Sequence, residues 1–261
     1  MLMKGLFAGE FDTYLRDAAI GERLCVFVHV PKTAGTSLRG ELARRLPPDA
    51  NIAVDYTDTA RSFHDRMDDA VERFLDSAMA GQVRFASGHV LARHVARIRA
   101  RVPDVRFVTF LRDPVQRVVS DYRHQRSARH PVHEEFIARV PSLDAYLDLA
   151  AERNKMAQHL IAPELLTGDP QACVEALLRD YAFIGVQEMY PISFRTLTAL
   201  IDVPAWPQLR ENVNTDDDSG RSVPPDLAAR IRAVNGIDCA LYGAVFPRWQ
   251  AIRGELTKRL A

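Results

Sequence analysis

Cysteine is scarce in this sequence: Cys25, Cys173 and Cys239 are the only three in 261 residues. Three so widely spaced exclude a disulfide framework and a structural zinc site built from paired ligands, and a reducing cytoplasm is the expected home. Net charge is missing as well. The 34 Lys and Arg are balanced by 34 Asp and Glu, for a formal net charge of +0. A protein that wraps a polyanion normally carries a basic excess, so no nucleic-acid partner is expected. A small anionic ligand stays open, because local charge is enough to hold one. No stretch approaches the roughly 18 apolar residues of a membrane span. The start, MLMKGLFAGEF, reaches Glu10 and Asp12 before the apolar core of a signal peptide develops. A chain soluble as encoded, with no integral membrane segment, is the expectation. There is no low-complexity segment and no repeat at solenoid periods. The most linker-like stretch, Asn212 to Pro225, is polar and acidic. It reads as a surface loop inside one domain, with a disordered connector as the alternative.

What is present is a large apolar fraction, 47% of residues, in a chain long enough to bury a real core. One domain over residues 1–261 is expected. Leu24 to Val30, LCVFVHV, is an almost unbroken apolar run ending at Pro31. Such a run fits a strand buried on both faces. After the turn PKTAGT, Leu38, Leu42, Ala43 and Leu46 recur at helical spacing until Pro47 and Pro48 close the helix. Val83 to Ala86 is a second strand, ending in Ser87-Gly88-His89 and leading into a helical pattern with Val95 and Ile98. A third, Val105 to Leu111, ends in Arg112-Asp113-Pro114, where Asp113 suits an N-cap and Pro114 the first helical position. Leu143 to Arg179 is helical with breaks at Pro163 and Gly168 to Pro170. Ala182 to Val186 is a short strand, Ile192 to Ile201 a helix, and helices follow from Pro224 and through Leu241. Strands alternating with helices imply an α/β fold with a parallel sheet and right-handed crossovers.

Ligands of open α/β sheets bind at the carboxyl ends of the strands. Three strand ends here finish in ligand-competent residues. Lys32, Thr33, Gly35, Thr36 and Ser37 follow the first, Gly88 and His89 the second, Arg112 the third. In the first loop Gly35 permits a turn and a close approach, and the N–H groups of Thr36 and Ser37 lie at a helix start, where anions are favoured. Lys32 adds a mobile positive charge. The order differs from the Walker A pattern G-x-x-x-x-G-K-S/T, in which lysine follows the second glycine. An ordinary capped turn is the structural alternative. Ser120 lies eight positions after Arg112, about 12 Å along a helix axis, so both reach one phosphate only if the helix lies beside it. Arg117 either joins them or forms a structural ion pair.

With these residues in view, VFVHVPKTAGTSLRGEL resembles the 5'-phosphosulfate loop of sulfotransferases that use 3'-phosphoadenylyl sulfate (PAPS). VRFVTFLRDPVQRVVSDYRH resembles the same family's 3'-phosphate segment, R-D-P-x-x-R-x-x-S. The likeness is to the carbohydrate, Golgi-type branch that includes heparan sulfate 2-O-sulfotransferase and its bacterial relatives. Weaker similarity covers SGHV, a helix with Asn154 and Gln158, FIGVQE, and an I-x-x-x-N-x-x-D-x-x-L-Y pattern from Ile231 to Tyr242, so that it spans roughly Cys25 to Tyr242.

The resemblance implies a three-layer, P-loop-like α/β fold whose central parallel sheet is flanked by helices. It implies a PAPS-dependent enzyme that moves a sulfuryl group to an acceptor hydroxyl and releases PAP, without a metal. Lys32 would hold the bridging and sulfuryl oxygens, and Thr33, Gly35, Thr36 and Ser37 would line the 5'-phosphate. Arg112 and Ser120 would bind the 3'-phosphate. His89 matches the histidine base of the 2-O-sulfotransferase branch; other branches use a carboxylate nearer the first helix, for which Glu41 is the candidate. Histidine suits the task, since a hydroxyl needs a base that is neutral near working pH. The acceptor would be a saccharide, a glycolipid precursor or another hydroxylated metabolite. Two local basic clusters, Arg93 to Arg101 and Arg123 to His130, either face an acidic acceptor or are helix faces paired with acidic neighbours. The Arg- and Ala-rich composition reads as bacterial. Rival classes are a nucleotide kinase or other phosphotransferase, and a non-catalytic module that binds PAP or a saccharide.

Overall fold

A computed structural model describes residues 2–55, 60–202, 204–208 and 223–260. Residues 212–222, most of the acidic stretch read as a surface loop, lie outside the described residues. Helices α1 (Leu2–Phe7) and α2 (Phe11–Ala18) precede β1 (Cys25–Val28), α3 (Gly35–Arg45), β2 (Asp49–Ile52), α4 (Phe63–Met79), β3 (Phe85–Gly88), α5 (Ala92–Arg101) and β4 (Arg106–Leu111). Then α6 (Pro114–Gln125), α7 (His133–Arg139), α8 (Leu143–Asp148), α9 (Lys155–Leu160) and α10 (Pro170–Asp180) lead to β5 (Phe183–Val186). Helices α11 (Tyr190–Ile201), α12 (Pro225–Val234) and α13 (Gly236–Arg259) follow.

The strands form one parallel sheet in the order β2-β3-β1-β4-β5. The apolar run Cys25–Val28 takes the centre because every residue of it is buried, as a strand covered on both faces requires. Its neighbours β3 and β4 are equally buried except at Arg106. Strand β2 is a surprise for the sequence. Asp49-Ala50-Asn51-Ile52 has no β-branched run, and as an edge strand it buries only Ile52. The chain first moves two places to one side of β1, then returns and passes to the other. With right-handed crossovers that reversal puts α3 on one face and α4 and α5 on the other. Packing agrees: α4 lies on α5, α5 on α9 and α9 on α13, while Arg45 of α3 stacks over Phe194 of α11. The result is a three-layer α/β sandwich.

The far edge, β5, is sealed by side chains. Trp249 Nε1 donates to Ile184 O at 2.9 Å, Tyr14 Oη donates to Ala182 O at 2.9 Å, and Val186 N donates to Ser193 Oγ at 3.2 Å. Each removes a backbone group that an open edge would offer to another chain. Trp249 is fully buried on α13, which continues through Pro247 to Arg259, well past the expected helix around Leu241. The main core surrounds the sheet. A smaller one, with Val115, Val118, Phe136, Tyr146 and Ile231 among its members, joins α6, α7, α8 and α12.

Register fixes where chemistry gathers. Val28 lies opposite Gly88 on β3 and Thr109 on β4, and Leu111 opposite Val186 on β5. The segments that follow β1, β3, β4 and β5 therefore emerge on one edge of the sheet.

Candidate active site

The turn between β1 and α3 is built against the usual backbone preference. Lys32 and Ala34 both have positive φ, 70° and 65°, a region that non-glycine residues rarely occupy. Such turns aim successive N–H groups into a concavity that suits an anion. Thr33, fully buried, ties the turn down by donating from Oγ1 to Val30 O at 2.9 Å. Helix α3 then starts from Ala34, a residue with no side-chain cap. The starts of α4, α6, α8 and α10 are capped by Ser62, Asp113, Ser142 and Asp169. First-turn N–H groups lack partners inside their own helix, so the α3 start, with Gly35, Thr36 and Ser37, is equipped to receive an oxyanion. The glycine is required for a local reason: a Cβ on Gly35 would stand 1.9 Å from His29 Nε2. The face it leaves bare is covered by the His29 ring.

The β4 segment reaches this turn directly. Arg112, 7% exposed, donates from Nη1 to Lys32 O at 3.1 Å. Asp113 is otherwise engaged, accepting from Gln116 N at 3.0 Å as the N-cap expected of it, with Pro114 in the first helical position. Glu188, after β5, accepts from Asp113 N at 2.8 Å, and burial pushes its carboxyl above the ordinary range. Ser120 is half-buried two turns into α6. Arg117 does not join Arg112. It is fully buried and pairs with Asp121 at 3.1 Å. Asp121 also receives Tyr146 Oη and Lys155 Nζ, each at 3.1 Å, and Tyr146 and Lys155 both reach Glu152. Against the cost of burial, Lys155 and Arg117 bring the Asp121 carboxyl down to about 2.

On the other side of β1 lies His89. Its Nδ1 is 2.7 Å from His29 O, and a carbonyl can only accept, so Nδ1 carries the proton. In the neutral ring Nε2 is then the unprotonated nitrogen, the tautomer that takes up a proton. Burial lowers the His89 pKa, and the bond to His29 O and the nearby Asp121 charge oppose that only in part. The His29 ring stacks on Phe27 and sits 4.2 Å from the His89 ring, centre to centre. Burial, with His89, His159, Arg39 and Lys32 around it, drives the His29 pKa well down, so it stays neutral. Glu41, the alternative base, is 3% exposed and accepts from Gln208 N. Among the described residues no group of three or more His, Cys, Asp or Glu side chains is arranged to hold a metal ion.

Sequence reasoning passed over His159 and Lys155, both on α9. His159 packs its ring 6.5 Å from His89 and is 5% exposed. The only signal was the Asn154 to Gln158 segment, and the structure explains it through the C-terminal pattern. Asp238 accepts from Met156 N at 3.1 Å and Ala157 N at 2.8 Å. Asn154 Oδ1 accepts from Ile237 N at 3.0 Å, and Asn235 Oδ1 from Asn154 N at 2.8 Å. The two distant motifs hold one another.

The basic clusters part ways. Arg93 and His94 bond Asp68, Arg97 bonds Glu72, Arg99 bonds Asp180, and Arg101 donates to the Met79 sulfur. That cluster is a paired helix face. In the second, Arg126 donates to Val140 O and lies over the Tyr122 ring, while burial, and after it the Lys32 ammonium, lowers the His124 pKa.

No protein-family profile matches the chain, and no curated protein matches it. Among solved structures it is similar to one described as a sulfotransferase from Alicyclobacillus acidocaldarius, at 17% identity and a TM-score of 0.47, over 86% of this chain and 96% of that one. No helix among the described residues is long and apolar enough to cross a membrane.

Proposed function

We propose that this protein is a PAPS-dependent O-sulfotransferase, cytoplasmic, that moves a sulfuryl group to a hydroxyl of a saccharide, glycolipid or other hydroxylated acceptor. The observation that carries the reading is the joining of three strand ends around β1. An uncapped helix start with Lys32 in its turn is tied to Arg112 on one side, and a histidine in the proton-accepting tautomer lies on the other. The first two supply positive and N–H donors for a doubly phosphorylated nucleotide, and the third supplies a base. The motif resemblance assigns the same residues to the same parts.

In this reading Lys32, Thr33, Gly35, Thr36 and Ser37 hold the 5'-phosphosulfate, and Arg112 with Ser120 holds the 3'-phosphate. His89 Nε2 takes the proton of the acceptor hydroxyl as its oxygen bonds to sulfur. The bond from sulfur to the phosphate oxygen breaks, and PAP leaves with that electron pair. Lys32 stabilises the charge that develops on the leaving oxygen. Positioning and charge stabilisation supply most of the rate in such in-line transfers.

The experiment is thermal unfolding with PAP and, separately, with ATP. PAP at a hundred times its dissociation constant is expected to raise stability by about 2.7 kcal/mol, an upward shift in Tm of about 5–10 °C, and ATP to do much less. Equal stabilisation by ATP with none by PAP would move the protein to the phosphotransferases. PAP binding without sulfate transfer from labelled PAPS to any of a panel of saccharides would leave a binding module.

A further inference from the structure

We propose that His159 is a positioning residue for His89, holding the carbonyl of Val90 and backing the His89 ring so that the base keeps one orientation and one tautomer. This rests on the reading of His89 as the base. The turn after β3 is tied at three consecutive residues. His29 N donates to Gly88 O at 3.0 Å, His89 Nδ1 donates to His29 O at 2.7 Å, and His159 Nδ1 donates to Val90 O at 2.8 Å. The first two ties come from His29, the residue that follows the central strand β1. The third comes from α9, whose His159 ring stands 6.5 Å from the His89 ring, centre to centre and edge-on.

A helix of six residues is a poor anchor by itself. Here its first N–H groups are taken by Asp238, fully buried, and the Asn154 and Asn235 side chains lock its start to α13. The C-terminal helix is thus connected to the base through α9. His159 does this as a neutral ring, since burial brings its pKa down to about 3. A carbonyl accepts only from Nδ1–H, so the bond to Val90 fixes its tautomer also. The other groups that bear on His89 are His29 at the end of β1, Asp121 on α6 and Lys155 on α9. Because His159 is neutral, it acts on His89 through contact and through the backbone bond.

Two variants test this. Asn places an amide N–H near the position of Nδ1, so His159→Asn keeps a donor for Val90 O; His159→Leu fills the space without one. Two readouts are needed: transfer kinetics, and the nitrogen-15 NMR signals of the His89 ring in the protein without ligand. His159→Leu is expected to lower kcat about tenfold to a hundredfold with PAP affinity unchanged, and to mix the two His89 tautomers. His159→Asn is expected to recover most of both. An unaltered His89 spectrum in His159→Leu overturns the proposal, as does equal loss of kcat in both variants. The NMR readout needs no substrate, so a failure of the sulfotransferase reading, seen as no response to PAP, is distinguishable from a failure here.

Discussion

At the scale of single residues, the site rests on hydrogen bonds that leave one interpretation each. A carbonyl beside a histidine nitrogen dictates which nitrogen holds the proton, and for His89 it leaves Nε2 able to accept one. Burial then lowers its pKa, which has a defined kinetic sign. The neutral ring, the competent base, persists below the ordinary histidine pKa of about 6.5. The acid limb of kcat for sulfate transfer is therefore expected below pH 6.5, with a plateau through neutrality. His89→Ala is expected to lower kcat by about a hundredfold to ten-thousandfold while the dissociation constant for PAP stays within about twofold. An acid limb above 7, or loss of PAP binding in that variant, would assign His89 another role. Lys32, Gly35, His89 and Arg112 were legible as candidates because polar residues directly after buried apolar runs stand out. His159 was not. Its importance comes from Val90, 69 positions away, and nothing in the segment KMAQHL announces that contact.

At the scale of elements, four of the five strands could be located from the chain because their apolar runs are covered on both faces, although β3 begins at Phe85 instead of Val83 and continues through Ser87 and Gly88. The exception, β2, is an edge strand with alanine and two polar residues, held by backbone pairing to β3 more than by its own side chains. The helix starts divide similarly. Asp113 with Pro114 carries its own cap in the sequence, whereas α9 borrows its cap from α13. That loan makes a prediction. Asp238→Ala removes the acceptor of two buried N–H groups and is expected to cost about 1–3 kcal/mol. Urea unfolding measures it; a change below about 0.5 kcal/mol would mean that the cap is replaced by another group. The paired face of α4 and α5 likewise shows why a basic cluster in a sequence is ambiguous, for Arg93 and Arg97 find their carboxylates one helix away.

At the scale of the whole molecule, neutrality overall conceals a buried core of opposing charges and uncharged histidines, and both respond to acid. His159 has a folded pKa of about 3, below its unfolded value near 6.5. Unfolding therefore takes up a proton between these limits, and the stability that depends on the neutral ring is complete above about pH 6.5 and declines as pH falls toward 3. Asp121 adds a later loss. Its folded value of about 2 lies under the unfolded 3.9 or so, so its contribution of roughly 2–3 kcal/mol is present above pH 4 and disappears as pH falls through 2. The urea midpoint is expected to be flat from pH 7 to 8 and to fall from about 6.5 downward, before most carboxylates titrate. His159→Asn should make the fall between 6.5 and 4 shallower, leaving the share that His29 and His89 contribute. A midpoint constant down to pH 4.5 would show that the buried rings are not neutral in the folded state.

By itself the sequence determined the layered α/β alternation, the strands that become the interior of the sheet, and the polar segments at their ends. Those follow from local patterns of burial and turn chemistry that one stretch of chain contains. Tertiary structure alone decided the strand order, the turning of Arg117 inward to Asp121, the joining of Arg112 to the Lys32 turn, and the support of His89 by α9 and α13. Except for the Arg117–Asp121 pair, which spans one turn of α6 and is buried only by what packs on that helix, each of these is a contact between residues far apart in the chain, and its energy exists only once the sheet has brought them together.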